Sequence, residues 1–418
     1  QKKDSIFAYQ RDSVWSKSNI DSLKKRQGKV RPLGILWGGI DRIHYSRKNR
    51  YNWGIEPLVD PFFKHLEYNS AEGIAVSLST YYDKYLRNLK ANMSISPTVR
   101  YSFGNHHLTA WADIHFQSHN PDPNRKMKNQ SLTLSGGTRV SQFNKESPIT
   151  PFVNTISTLF WGDNFMKIYE NSFGSINFFK KFENGIQFNI NSLFEDRRLL
   201  GNVTKHTLFK NQDKNLTYNY PLEKFFEHPR NYASLVGDHQ AFIVSVDFSI
   251  KPGQKYIQLP YQKLSLGSKY PTFSVNYTKG IKTILGSDVD FDKWKFTIED
   301  DKNFKLAGML KYKFGMGGFL NNKLVPLQDY QHFNGNRSIA ASDYVNSFQL
   351  AKYYEYSNTE PFFAFAHLEH HLNGLITNKI PLFKRLNWNL VAGTNTFYVN
   401  KNSNHVEIFV GIENLFKV

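Results

Sequence analysis

The chain has 418 residues, a length that soluble proteins divide into two or three domains but that a single barrel-forming sheet uses whole. Lys and Arg number 53 against 35 acidic residues, a formal net charge of +18 that favours anionic surroundings such as lipid head groups, lipopolysaccharide or nucleic acid. Cysteine is absent, which excludes a disulfide framework, a thiolate zinc site, a redox pair and a cysteine nucleophile.

Mean hydropathy is −0.51, and no run of about 18 uncharged apolar residues occurs, so helical membrane spans are excluded. A transmembrane barrel is not, because its strands need only about ten residues each and alternate polar with apolar. Aromatic residues make up 16% of the chain, an excess that an interfacial girdle would use. The chain begins at Gln1 without a signal peptide, and the expectation is a mature or trimmed product.

Residues 1–66 read as a distinct lead segment, periplasmic or lumen-associated; within it Gln1 to Val30 is polar and basic, with Lys24-Lys25-Arg26 and no sustained hydrophobic period, and reads as a loop or a short helix outside any sheet. From 67 to 418 the texture is short alternating segments separated by Gly, Asn, Asp and Lys turns. At 94–103, Ile95, Pro97, Val99, Tyr101 and Phe103 alternate with Ser94, Ser96, Thr98, Arg100 and Ser102. After a turn at Gly104-Asn105, Leu108, Ala110, Ala112, Ile114 and Phe116 alternate with Thr109, Trp111, Asp113, His115 and Gln117. Successive side chains point to opposite faces, so each strand has an oily side and a wet side.

The same pattern places Phe242, Val244, Val246, Phe248 and Ile250 on one face, and Leu306, Gly308, Leu310, Tyr312 and Phe314 opposite Lys305, Lys311 and Lys313. Val406, Ile408, Val410 and Ile412 oppose Glu407 and Glu413. Further strands are expected at 73–82, 131–142, 173–182, 186–194, 271–280, 293–299, 346–355, 361–372 and 387–399, about fourteen in all. The fold class expected is all-β: an antiparallel transmembrane β-barrel, sixteen-stranded when complete. A soluble sandwich also alternates, but three features weigh against it. Aromatic residues sit at strand ends (Tyr81-Tyr82, Trp294, Tyr353-Tyr354, Trp388, Tyr398). A propeller's blade-length repeat is missing. Long connections at 199–239 and 317–345 contrast with tight turns at Gly104-Asn105, Asn184-Gly185 and Asp301-Asn303, as in outer-membrane barrels. One parity problem stands: only three strands separate the first two tight turns, so either 155–170 holds another strand or one turn faces the other way. Residues 154–170 also fit an amphipathic helix.

If the polar faces look inward, Arg100, Asp113, His115, Arg139, Lys305, Lys311, Lys313, His367, Glu369 and His371 line the lumen and make it cationic. His367, Glu369 and His371 share one strand face; a metal would reach all three only if the strand bends, and a lumen-facing polar network is the reading preferred. Asp288, Asp290 and Asp292 lack the glycine and terminal Glu of a calcium loop. Gly315-Met316-Gly317-Gly318 lacks the Lys-Ser/Thr of a phosphate loop and is expected to be a loop hinge. No Gly-x-Ser-x-Gly elbow is present, and no catalytic set, metal or cofactor is expected. Positive charge is spread over every strand rather than gathered in one stripe, so nucleic acid is not the expected partner; membrane lipid and lipopolysaccharide are.

Five stretches carry a family resemblance: Tyr68-Asn69-Ser70-Ala71-Glu72-Gly73, the span from Asn154-Thr155 to Asn164 and Glu170, Leu266-Gly267-Ser268-Lys269-Tyr270-Pro271, His332-Phe333-Asn334-Gly335-Asn336, and His367 to Gly374 with Asn378 to Leu382. They resemble an uncharacterised Gram-negative outer-membrane family that carries a carboxypeptidase-regulatory-like domain before a C-terminal barrel domain of unknown function. More distantly, the C-terminal third resembles the sixteen-stranded barrels of outer-membrane assembly and two-partner secretion. There a long loop with an Arg-Gly-aromatic tip tucks into the lumen. The corresponding loop here is 317–345, with His332, Phe333, Gly335, Asn336 and Arg337 at its tip; the Arg-Gly-aromatic order is missing.

The resemblance implies an outer-membrane barrel that handles polypeptide in assembly or secretion, with periplasmic or surface proteins or client polypeptides as partners. A porin-like barrel with a cationic lumen and a structural surface barrel are the alternatives. Both families continue past the position of Val418, and the expectation is that the chain lacks its last strands.

Overall fold

The computed structural model describes residues 45–46, 52–53, 66–80, 82–118, 129–208, 216–220, 237–258, 263–336, 343, 345–372, 379, 381, 385 and 388–413. Most of the expected lead, 1–66, lies outside them, as does Arg337. In chain order, β1 (Tyr45–Ser46) and β2 (Asn52–Trp53) pair with each other and, among the described residues, with no other strand. The main sheet begins with β3 (Leu66–Asn69), β4 (Gly73–Ser79), β5 (Tyr82–Leu86), β6 (Ala91–Ser102), β7 (His107–Ser118) and β8 (Asn129–Gln142). Helix α1 (Pro151–Trp161) precedes β9 (Ile168–Lys181), β10 (Ile186–Leu199) and β11 (His239–Ile250). A separate hairpin, β12 (Lys255–Gln258) and β13 (Lys263–Gly267), leads to β14 (Thr272–Gly280), β15 (Asp290–Asn303), β16 (Met309–Leu324), β17 (Phe363–Leu372), β18 (Asn389–Asn400) and β19 (Ser403–Glu413).

The described main sheet is antiparallel throughout and runs β3-β4-β6-β7-β8-β9-β10-β11-β14-β15-β16-β17-β18-β19, with β5 continuing β4 along β6. Near neighbours in sequence are thus near neighbours in space, the meander of an up-and-down barrel. β3 and β19 end this order and do not pair with each other among the described residues.

The two faces invert the arrangement of a soluble sheet. Val406, Ile408 and Val410 on β19 are 67%, 77% and 73% exposed, whereas Glu407 between them is 4% exposed. On β6, Thr98, Arg100 and Ser102 are buried while Val99 is exposed. On β17, Phe363, Phe365, His367, Glu369 and His371 are all buried and the alternate residues are only partly so. Apolar side chains therefore face out and polar ones face in, and the sheet wraps them. On β11 the outward set 242–250 covers roughly 27 Å of extended chain at about 3.4 Å per residue, enough for a barrel's apolar band. Ion pairs on the outer face mark one border of that band: Arg198–Asp196 and Lys279–Asp292.

Several expectations need correction. Residues 346–355 form no strand: they lie in a folded segment inside the sheet, and Tyr353 and Tyr354 are therefore not girdle residues. β16 runs on to Leu324, so the long connection spans 325–362 rather than 317–345. Gly315, Gly317 and Gly318 are within β16, not in a hinge. Their missing side chains make room: a Cβ on Gly315 would lie 2.2 Å from the Phe365 ring, and one on Gly318 would lie 1.9 Å from the Pro361 carbonyl oxygen. Asp301-Asn303 belongs to β15, and the turn falls at 304–308.

The parity problem resolves through α1. Thr150 caps it, its hydroxyl accepting from the Val153 amide; Pro151 occupies the first turn, and Gly162 at φ 74° ends it. The segment is thus a helix rather than a strand, and the tight turns at 103–106 and 182–185 sit at opposite ends of the sheet. The helix packs on β3, where Thr155 Oγ1 accepts the Tyr68 amide at 2.9 Å. That donor lies on the uncovered edge of a short strand, and the helix satisfies it.

Candidate functional site: a plugged lumen

The connection 325–362 joins β16 to β17, and its described residues, 325–336, 343 and 345–362, lie against the inner face. After Pro326, a single 3-10 turn at Leu327–Asp329 aims the Asp329 carboxylate at the wall. Arg197 on β10 meets it with Nη1 to Oδ2 at 2.6 Å and Nη2 to Oδ1 at 3.3 Å. The same guanidinium donates Nε and Nη2 to Glu195 Oε2 at 2.9 and 2.7 Å. Lys145, from the β8–α1 connection, adds a 2.6 Å bond to Asp329 Oδ1, and Asn171 on β9 donates to Glu195 Oε1 at 2.6 Å.

Arg197, Glu195 and Asp329 are almost wholly buried. Burial opposes the charge on Asp329, but Arg197 and Lys145 outweigh it and hold the carboxyl well below the usual aspartate range. A buried cluster of this kind gains little net stability; its value lies in fixing one geometry.

Farther along the segment, aromatic packing takes over. Phe333 stacks on Phe397 of β18 with centroids 4.2 Å apart, and the edges of Phe348 and Phe363 close around it. Glu407 on β19 then accepts the Gln349 and Leu350 amides at 2.8 and 2.9 Å and the Asn395 side-chain amide at 2.8 Å. Asn334 donates to Glu146 at 2.6 Å and accepts from Asn144 at 2.7 Å. His332 is buried against the Tyr354 ring, its Nδ1 2.7 Å from Ser357 Oγ. Burial, with Lys293 nearby, pushes the His332 imidazole down to about 3, so it is neutral at physiological pH. The segment is a plug anchored to the β8–α1 connection, β10, β18 and β19.

A second network closes the first hairpin of the sheet. Glu72 accepts Arg100 Nε and Nη2 at 2.9 and 2.7 Å, Ser102 Oγ at 2.6 Å and Asn69 Nδ2 at 2.8 Å. Burial would raise its carboxyl, but these donors hold it below the ordinary range. Arg100 also reaches Glu67 at 2.8 Å.

Of the other residues singled out from the sequence, Asp113 and His115 face inward on β7, His115 Nδ1 lying 2.9 Å from Thr133 Oγ1. Lys313 reaches Asn346 of the plug at 2.6 Å and lies 3.8 Å from Glu299; Lys311 lies 3.6 Å from Glu369. Lys305 sits exposed in the 304–308 turn rather than on the wall. His367 bonds Asn395 at 2.9 Å while Glu369 pairs with His371, so the three do not converge, and no metal-holding group occurs among the described residues. Asp288, Asp290 and Asp292 turn to separate partners: the Gln240 amide, Asn321, and Lys279 with Tyr277. Gly335 and Asn336 lie within the plug, where Asn336 donates to Gln349 at 2.9 Å.

Among the described residues, most inward-facing cations of the wall are paired with carboxylates. Two of the cavities among the described residues are sizeable. One of about 550 Å³ lies between the plug and the inner faces of β11, β14 and β15, with Lys293, Lys295 and Asp247 among its walls. The other, of about 570 Å³, lies beside β6 and β8.

Arg197, Glu195, Lys145, Asp329 and Asn395 escape a reading of the sequence, whereas Glu407 was legible as a polar-face residue but not as an anchor of the plug. The run Glu195-Asp196-Arg197-Arg198 charges both faces at once, so it looks like a strand end; yet Leu193, Glu195 and Arg197 keep the inward period, and that was the available signal.

These features define an antiparallel β-barrel with an apolar exterior and a lumen closed by an inserted connection. The C-terminal domain of a family of unknown function, DUF5686, matches residues 34–412, and the chain belongs to that family, as the motifs from Tyr68 to Leu382 led us to expect. Among solved structures, it is similar to BamA from Haemophilus ducreyi lacking POTRA domains 1–3, at 10% identity and a TM-score of 0.38 over 92% of this chain and 66% of that one. It is also similar to CdiB from Acinetobacter baumannii, at 11% identity and a TM-score of 0.36 over 83% of this chain and 52% of that one. The chain thus spans less than two thirds of the length of either. No curated protein matches it.

Proposed function

We propose that the chain is the barrel domain of an outer-membrane protein that handles polypeptide in assembly or export, with segment 325–362 as its internal gate. The observation that carries the membrane reading is the inversion of faces: Val406, Ile408 and Val410 stand exposed while Glu407 is buried. In water such a surface would aggregate; in a bilayer it meets acyl chains. The positive charge of the chain suits anionic lipid and lipopolysaccharide.

The plug supports gated handling over a porin. A porin keeps a continuous aqueous path, whereas this segment crosses the interior from β10 to β19 and is held by Asp329–Arg197, by Glu407 and by the Phe333 cluster. The resemblance of the C-terminal third to assembly and secretion barrels points the same way. Planar-bilayer recording of the purified protein tests this reading alongside analysis of co-purifying proteins. Low, intermittent conductance with nascent outer-membrane or exported proteins attached is the expected result. Large, steady, anion-selective conductance without attached polypeptide would assign the chain to solute transport instead.

A further inference from the structure

Inward-facing cations of the wall are nearly all matched: Arg100 with Glu72 and Glu67, Arg197 with Glu195 and Asp329, Lys295 with Glu146, Lys311 with Glu369, Lys313 with Glu299. Two stand apart among the described residues: Lys293 on β15 has no ion pair but donates to the Tyr330 carbonyl at 3.1 Å, and Arg139 on β8 lacks even that. Its guanidinium lies 3.9 Å above the Phe173 ring and makes no hydrogen bond or ion pair, and its Nε is buried without a partner.

Arg139 lines the 570 Å³ cavity together with Trp111 and the hydroxyl-bearing Ser77, Ser79, Thr98 and Ser141. The carboxylates in the same walls, Glu67, Glu72 and Glu195, are already engaged by Arg100 and Arg197. The Phe173 face fixes the plane of the guanidinium, leaving its edge donors for a ligand. Fork-shaped donors of this kind match a carboxylate, and pairing out of bulk water strengthens the match. The neighbouring hydroxyls suit the amide groups of a peptide backbone.

We propose that this cavity binds a carboxylate carried on a polypeptide segment, with Arg139 as the anion-binding residue and Phe173 as its positioning residue. The proposal rests on the polypeptide-handling reading and names the chemistry recognised.

Isothermal titration of the purified full chain in detergent tests it. The probes are a short N-acetylated, C-amidated peptide with a single Asp, its Asn counterpart, and inorganic phosphate. The Asp peptide should bind at least about tenfold more tightly than the Asn peptide, since charge-assisted pairing supplies the difference. Arg139→Gln should abolish that preference, Arg139→Lys should retain part of it, and Phe173→Leu should weaken it with the charge intact. Arg198→Gln, which removes an exposed arginine paired with Asp196, should change nothing, and heat-modified gel mobility checks that each variant folds.

Equal binding of the two peptides, or a preference that survives Arg139→Gln, would overturn the proposal. Phosphate binding without discrimination between the peptides would also overturn it, in favour of a free oxyanion site. If client proteins co-purify with the wild type while the Asp peptide shows no preference, this inference fails and the broader function stands.

Discussion

Asp329 of the plug and Arg197 of the wall, 132 positions apart in the chain, meet through two hydrogen bonds of 2.6 and 3.3 Å with the guanidinium fully buried. A contact so distant in sequence is formed only when β10 and the β16–β17 connection have both found their places. Asp329→Asn keeps the shape but leaves Arg197 short of one charge partner. Breaking one side of a buried pair costs about 3–5 kcal/mol. Glu195 still faces Arg197, which puts the expectation near the lower end, measured by urea unfolding in detergent. Bilayer conductance of the variant should rise as the plug loosens.

His332 gives the plug a pH dependence. The folded imidazole titrates only at about 3, whereas an unfolded one titrates near 6.5. The released segment therefore binds the extra proton first. Stability from this group is complete above about pH 6.5 and drains away as pH falls toward 3. Asp329 is also depressed, and its contribution is lost only below the ordinary aspartate range. Channel opening should therefore increase between pH 7 and 4.5, and His332→Gln should flatten that increase. A slope unchanged in the variant would show that another group carries it.

Gly318 is predicted to resist any side chain. An added Cβ would fall on the Pro361 carbonyl oxygen, which is backbone and cannot swing aside. Gly318→Ala should destabilise by about 3 kcal/mol, the upper range of overpacking effects, read as a lower urea midpoint. Gly174, whose Cβ would meet nothing within 4 Å, should accept alanine with little change.

Outer-face charge separates the middle of the apolar band from its border. Val275 lies between Phe248 and Phe296 in register, far from the Lys279–Asp292 pair. Val275→Arg should cost about 2–4 kcal/mol in refolding from urea into lipid vesicles. Val244→Asp should cost less, because Val244 is the register partner of Lys279. Equal penalties would mean that the band is misplaced.

Period-two alternation made the wall legible before any coordinates: the oily and wet faces of 94–117, 242–250 and 406–412 emerge as read, because a strand buried on one side must alternate. The plug was not legible. At 346–355, Phe348 and Leu350 keep a strand's spacing, yet Phe348 buries against the wall's aromatics instead of a bilayer. Phe363 and Phe365 face inward for the same reason, which no alternation rule reports. Gly315 to Gly318 looked like a loop because glycine usually breaks strands; here it accommodates the rings of Phe363 and Phe365. Of the about fourteen strands that the alternation predicts, 346–355 is none, and β3 is too short for its period to show. Ion pairs such as Glu72–Arg100 join residues that sequence spacing alone does not connect.

Oxygen accessibility along β11 addresses the central claim most directly, and the cysteine-free chain makes single-cysteine labelling simple. Nitroxides placed one at a time at 243–249 in lipid vesicles should show high oxygen and low nickel-complex accessibility at 244, 246 and 248, with the opposite at 245, 247 and 249. A flat profile, or an inverted one with the even positions shielded from lipid, would contradict a barrel whose apolar face meets the membrane.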